Sequence, residues 1–287
     1  MIAKRQFDPM PFFFVALCFF VLSAHPAGGA ARIVTLAPSL GELVADMSAD
    51  GLDRIVGVSE FSDYPPALLK KPSVGPYFRF SVEKVIGLKP DLVLATRDGN
   101  PKDSVLRLRE LGLNVVVVST ASLKEVAASM RIVGDAMGEA GAGRAMAEQF
   151  ERGLARIRNT GVSKEPLRIL LQIGDEPLVA AGGASFVGDA VSLGGLKNIY
   201  SDSSQAYPRP AVEDVLKRNP GMILVLALGR DTAAFKRMAE KWGRFQSLEA
   251  VKRKKDFVVK GDELLRPTLR LLEGISALQR IVYGKTN

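Results

Sequence analysis

Two stretches of this chain follow one pattern. Residues 77–94 read YFRFSVEKVIGLKPDLVL and residues 207–225 read YPRPAVEDVLKRNPGMILV. Each has a Tyr, an Arg two residues on, Val-Glu, a second Val, and a Pro seven residues after the Glu. Such a pattern constrains the fold because each of its parts has a structural meaning. The Glu suits the first turn of a helix, where the helix dipole favours negative charge. The Pro marks the turn that ends the helix, and the apolar run beyond it has the character of a buried strand. One chain that writes this unit twice is building the same α/β unit twice.

The surroundings of the two copies agree. RIVTL (32–36), IVGVS (55–59), DLVLAT (91–96) and NVVVVS (114–119) are short β-branched runs that predict buried parallel strands. ELVADM, VEKVIGL and DSVLRLRELG lie among them with helical spacing. A second series follows with RILLQI (168–173), MILVLAL (222–228) and DFVVKG (256–261). Arg32 and Arg168 each open the first strand of a series. Residues 122–159 carry no strand signal and are rich in Ala, Glu, Met and Arg, which predicts a long helix with a break near Gly141–Gly143. The expected architecture is two Rossmann-like α/β lobes, residues 31–121 and 161–287, bridged by a backbone helix within 122–160.

The first thirty residues read differently. Lys4 and Arg5 precede the apolar run Phe12–Leu22, too short to span a bilayer, and small residues follow up to Ala30. This predicts a secretory signal peptide, residues 1–30, and a periplasmic mature protein. Leu17 is too large for the position before a lipidated Cys18. Cys18 and His25 are the only Cys and His in the chain, and both fall inside the leader. The remainder can therefore form no disulfide, Cys/His zinc site, Ser-His-Asp triad or Cys nucleophile.

No phosphate-binding glycine loop follows a strand, so paired carboxylates are the one catalytic route left, and no pair stands out. A secreted carboxylate-dependent hydrolase is thus the alternative from another class, and the leading expectation is not an enzyme. The net charge of +8 invites a nucleic-acid reading. Its one dense run, Lys252–Lys255, has no interleaved aromatics and reads as a solvated surface. Ligands of open α/β sheets bind beyond the carboxyl ends of the strands, so two facing lobes make a cleft suited to a solute.

RIVTLAPSLGELV, VGVSEFSDYPPAL and SVEKVIGLKPDLVLA resemble the substrate-binding proteins of ABC importers for cobalamin, haem and siderophores. The resemblance covers essentially all of the chain after the leader. It is closest to the cobalamin-binding members at VGVSEFSDYPP, at LQIG (171–174) and at GDELLR (261–266). It implies a class III periplasmic binding protein, with the ligand held between two lobes.

By that resemblance Phe61, Tyr77 and Tyr207 are ligand-contacting aromatics, and Asp262, Glu263, Leu264, Leu265 and Arg266 form a ligand-touching loop. Glu83 and Glu213 are the surface carboxylates that meet the permease. Tyr64, before a Pro-Pro turn, is read as structural. The implied cargo is a cobamide, with no resident cofactor or metal. The implied partners are a permease dimer and its ATPase, served by a monomer that touches the membrane only through that complex. Cobalamin-binding members have Trp where this chain has Tyr77 and Tyr207, bulky aromatics where it has Glu263 and Leu264, and a disulfide it cannot form. Haem or a siderophore is the alternative cargo, through a Tyr near position 77, and members that need a His ligand are excluded.

Overall fold

The computed structural model describes residues 29–159, 165–227, 232–254, 256–260 and 262–284. The expected leader up to Gly28, with Cys18 and His25, lies outside the described residues. The first lobe is a parallel sheet of β1 (Ile33–Thr35), β2 (Ile55–Val58), β3 (Leu92–Thr96) and β4 (Val115–Val118), in the order β2-β1-β3-β4. The second contains β5 (Arg168–Gly174), β6 (Val179–Ala180), β7 (Lys197–Asn198), β8 (Met222–Ala227) and β9 (Asp256–Lys260). The parallel pairs β7–β5, β5–β8 and β8–β9 repeat the first lobe's β2–β1, β1–β3 and β3–β4. Antiparallel β6 shares the edge of β5 with β7 and has no counterpart in the first lobe. At two residues each, β6 and β7 are too short to leave a periodic signal in the sequence.

Alternation along the central strands divides the core into three. Val34, Val93 and Ala95 face one side of the first sheet, where they pack with Leu36, Val85 and Leu108. Leu170, Ile223 and Val225 face the corresponding side of the second sheet, beside Val215 and Trp242. The residues between them in sequence, Ile33, Leu92 and Leu94 in one lobe and Ile169, Leu171, Met222 and Leu224 in the other, belong to a single cluster. Met130, Val133, Ala147 and Phe150 of the linking segment complete it. The apolar core is thus continuous from lobe to lobe.

The linking segment is two helices rather than one. Ser122 caps the first, Leu123–Met137, its hydroxyl accepting from the Glu125 amide at 3.2 Å. That helix stops at Gly138, which takes φ +80°, and the second helix runs from Ala140 to Asn159. The break predicted at Gly141–Gly143 is therefore corrected to Gly138–Glu139, because Gly138 supplies the left-handed turn. Gly141 and Gly143 stay helical. The second helix, at 1.5 Å per residue, extends about 30 Å, and the two pack antiparallel. Arg131 donates to both carboxylate oxygens of Glu151, at 3.0 and 2.9 Å. Gly134 and Gly143 meet so closely that a Cβ on Gly143 would lie 2.8 Å from the Met130 carbonyl oxygen and 2.9 Å from the Gly134 Cα.

That contact separates two glycines of one helix by their consequences. Gly143→Val should destabilise the protein by about 1–3 kcal/mol, since backbone on both sides cannot give way. Nothing lies within 4 Å of a Cβ on Gly141, so Gly141→Ala should gain about 0.5–1 kcal/mol of helix propensity. Urea unfolding of the two variants beside the parent measures both, and equal midpoints would show that the glycine crossing does not hold the helices together.

Candidate ligand cleft

The repeated pattern builds two matching frames. In the first lobe Ser81 caps the helix Val82–Gly87, its hydroxyl accepting from the Lys84 amide at 3.2 Å and donating to Glu83 Oε2 at 2.9 Å. In the second, Ala211 precedes the helix Val212–Arg218 and offers no side-chain cap, and Glu213 and Asp214 fill its first turn. Each helix is followed by a left-handed residue just before the Pro, Lys89 (φ +47°) and Asn219 (φ +44°). The strand-opening arginines close both frames. Arg32 donates to the carbonyls of Leu88 and Lys89 at 2.7 and 3.0 Å, and Arg168 donates to that of Arg218. These bonds answer helix-end carbonyls that would otherwise lack partners.

Glu83 and Glu213 are both exposed, at the same place on the two frames. The Glu83 backbone N–H and then the Ser81 hydroxyl hold the Glu83 carboxyl below its ordinary range. Both groups therefore lie open to solvent. The glutamates also start their helices, so position alone accounts for only part of the pattern.

Tyr77 and Tyr207 stand at the head of the frames. Asn100 fixes the Tyr77 backbone, its amide donating to the Tyr77 carbonyl at 2.7 Å and to that of Leu36 at 2.8 Å. Gly99 lies against the Tyr77 ring, where a Cβ would come within 3.0 Å of Cδ2. Phe78 meets Tyr77 edge-on at 5.3 Å. Tyr207 is 40 % exposed, and burial first, then Tyr77 and Asp98 of the other lobe, push its hydroxyl up to about 12. The hydroxyl is therefore neutral, and Tyr77 and Asp98 lie within its electrostatic reach. Phe61 is 64 % exposed and Phe78 57 %, so the region presents aromatic surface to solvent. Neither Phe78 nor Asp98 was indicated by the sequence pattern, although Phe78 fills the variable position beside Tyr77.

The segment 262–266 differs from the expected loop. Asp262–Leu265 is a single helical turn. Leu264 is 1 % exposed and lies in the continuous core, and Leu265 packs against the same core. The helical turn directs Leu264 inward, so Leu264 leaves the set of expected ligand contacts. Arg266, 5 % exposed, is also turned away from solvent. Its Nη2 donates to the Phe61 carbonyl at 3.0 Å and to Asp63 Oδ1 at 2.7 Å, and its Nε lies 3.5 Å from Glu42 Oε1. Arg266 thus ties the second lobe to loop 59–63 and Glu42 of the first. Glu263 reaches Arg270 at 3.4 Å, and Asp262 has a buried Oδ1. The Arg270 guanidinium also covers the Tyr64 ring at 3.9 Å, consistent with a structural Tyr64.

Glu42 is the residue that sequence reasoning missed. It is wholly buried in the helix Pro38–Met47. Thr268 Oγ1 donates to it at 3.1 Å, and Arg266 and Arg270 flank Oε1 at 3.5 and 3.4 Å. Burial pushes Glu42 up to about 7, against the pull of the two arginines. The available signal was a carboxylate set among apolar residues in LGELV.

A value near 7 exceeds the ordinary 4.5, so between those limits the folded protein keeps a proton that the unfolded chain has released. Stability from this group is complete below about pH 4.5 and declines as pH rises to 7, by up to about 3 kcal/mol. Glu42→Gln should therefore gain on the parent across that window and keep a constant offset outside it. Urea unfolding at half-unit pH steps is the measurement, and a constant offset throughout would show that Glu42 titrates alike in both states.

Among the described residues no group of His, Cys, Asp and Glu could hold a metal ion. The model of the periplasmic binding protein family matches residues 33–263. The vitamin B12-binding protein of Vibrio cholerae serotype O1 is 32 % identical over 247 residues, 86 % of this chain and 87 % of that protein. The vitamin B12-binding protein of Yersinia pseudotuberculosis is 33 % identical over 218 residues, 76 % of each chain. The crystal structure of the periplasmic vitamin B12 binding protein BtuF of Vibrio cholerae superposes with a TM-score of 0.77 at 30 % identity, over 88 % of this chain and 96 % of that one. The periplasmic heme-binding protein RhuT from Roseiflexus sp. RS-1 gives a TM-score of 0.79 at 22 % identity over 90 % of this chain and all of that one, a likeness of fold alone. This chain belongs to the periplasmic binding protein family and has its class III fold, two α/β lobes joined through helices.

Proposed function

We propose that the protein captures a cobamide, a cobalamin-like corrinoid, between its lobes and delivers it to an ABC import permease. The observation that carries this is the pair Tyr77 and Tyr207, part-exposed at mirrored positions of the two lobes and within electrostatic reach of each other, with Phe61 and Phe78 exposed on Tyr77's lobe. A corrinoid has a broad apolar face edged with amides, which suits flat rings carrying neutral hydroxyls. Asp98 adds an acceptor for an amide N–H at the same wall. The vitamin B12-binding relatives support the choice of cargo. The protein acts as a periplasmic monomer, and its role is binding rather than catalysis. Glu83 and Glu213, one from each frame, engage the two permease subunits, and the ATPase responds.

Titration with cyanocobalamin, followed by visible absorbance and calorimetry, should show binding at one per chain. Tyr77→Phe should keep affinity within about tenfold, because the ring stays and one hydroxyl bond is worth about 1 kcal/mol. Haem or a siderophore is the competing cargo within the family. If haemin gives a tyrosinate charge-transfer band that Tyr77→Phe abolishes, the cargo is haem instead.

The docking role has its own test. Exposed charges contribute little to folding but steer and register a partner. Glu83→Arg combined with Glu213→Arg should leave unfolding and cyanocobalamin affinity unchanged and sharply reduce stimulation of the reconstituted importer's ATPase. Coincident ATPase curves for variant and parent would reduce both glutamates to helix starts.

A further inference from the structure

Phe61 is held in a conformation that its own chemistry disfavours. Its φ is +65°, in the left-handed region where a Cβ is strained. Its neighbours are fixed: Ser59 and Ser62 are 1 % and 4 % exposed, and the Ser59 amide donates to the Thr35 carbonyl at 2.9 Å. Glu60 is tied by its amide to the Gly75 carbonyl, also at 2.9 Å. Within this pinned loop Phe61 alone projects a large apolar ring outward. The bond that fixes its own peptide comes from the other lobe. Arg266 Nη2 donates to the Phe61 carbonyl at 3.0 Å and, two residues on, to Asp63 Oδ1 at 2.7 Å. One nitrogen thus spans the left-handed residue and its exit from the turn. Glu42 Oε1 stands behind the guanidinium, 3.5 Å from Arg266 Nε.

The geometry points to Arg266 as a positioning residue: from the second lobe it clamps loop 59–63 of the first, holding Phe61 left-handed so that its ring is presented to the ligand. This rests on the cleft reading above and deepens it. Ligand affinity would then depend on a bond made within the protein as well as on the contacts made to the ligand. The same bond ties presentation of the ring to the lobes being together, so a displaced lobe would release Phe61 as well as open the cleft.

Two variants test the clamp. Arg266→Met removes the donor, and Asp63→Ala removes the second anchor on the loop and leaves Glu42, Thr268 and Arg270 in place. If Arg266→Met does not fold, Asp63→Ala decides. Each should weaken cyanocobalamin binding about tenfold. The loss should vanish in a Phe61→Ala background, because a ring already absent cannot be misplaced. A merely structural role would instead add to the Phe61→Ala loss in full. Amide exchange at residues 60–64, measured without ligand, should accelerate at least tenfold in Asp63→Ala. Folded variants with parental affinity, fully additive losses, or unchanged exchange would each overturn the clamp. Failure of the parent to bind cyanocobalamin would overturn the cargo reading alone, leaving exchange to judge the clamp.

Discussion

The buried carboxylate of Glu42 is the group around which the two lobes are joined. A charge with no solvent exposure is costly unless counter-charges and donors meet it, and here all of them come from the other lobe. Arg266, Thr268 and Arg270 lie more than two hundred residues from Glu42 in sequence, and each reaches it. None of the four can be left alone in its place. Arg266 without Glu42 would be a buried cation sharing only Asp63, and Glu42 without the arginines would hold its proton more tightly still. The helix Pro38–Met47, loop 59–63 and the segment 266–270 must therefore assemble together. The apolar core, continuous through the linking helices, adds a second reason for the lobes to move as one body. Proteins hinged on strand linkers have neither restraint.

Duplication supplies the frame, and departures from it supply the site. The strand pairing, the left-handed residue before each Pro and the arginine that closes each helix occur twice, and so do Glu83 and Glu213. Two matching rims suit a partner that is itself made of two matching subunits. A corrinoid has no such symmetry. The cleft follows suit: Phe78 stands beside Tyr77 where Pro208 stands beside Tyr207, and β6 widens only the second sheet. The Glu42 network likewise lies to one side, uniting loop 59–63 with the segment 262–270. Under the proposed function, the mirrored glutamates serve the transporter, while the cargo meets walls in which only the two tyrosines are mirrored.

What the sequence revealed followed the range of each interaction. Strands β1 to β5, β8 and β9 could be read from local apolar runs, and the mirrored tyrosines from the repeat, because those signals lie within a few residues. The helix break was misplaced, since three nearby glycines look alike in sequence and only Gly138 takes the left-handed turn. Leu264 was misassigned, and the burial of Arg266 missed, for the complementary reason. A four-residue turn has no periodicity to show which side faces in, and the partners that bury Arg266 lie in the other lobe. Glu42 was hidden by its composition: one Glu in a short helix ordinarily marks the solvent face, and here it marks the join.

These constraints bear on how the cleft gains affinity. A ligand that must first draw two lobes together pays for that closure in binding free energy. In this protein the lobes share a core and a buried ion cluster before any ligand arrives. Tyr77 is backed by Asn100 and Gly99, so its ring need not be ordered on binding. Such preorganisation makes binding depend on the shape and polarity of the walls rather than on a conformational switch. The neutral hydroxyl of Tyr207 fits that picture, since it can both donate to and accept from an amide edge without a proton being moved. Asp98 on the same wall accepts from the Thr120 amide at 2.7 Å and lies 3.6 Å from the Arg97 guanidinium, so it adds a fixed acceptor rather than a lone negative charge. Under the proposed function, flat rings, a neutral hydroxyl and a paired carboxylate together suit a large, flat cargo edged with amides.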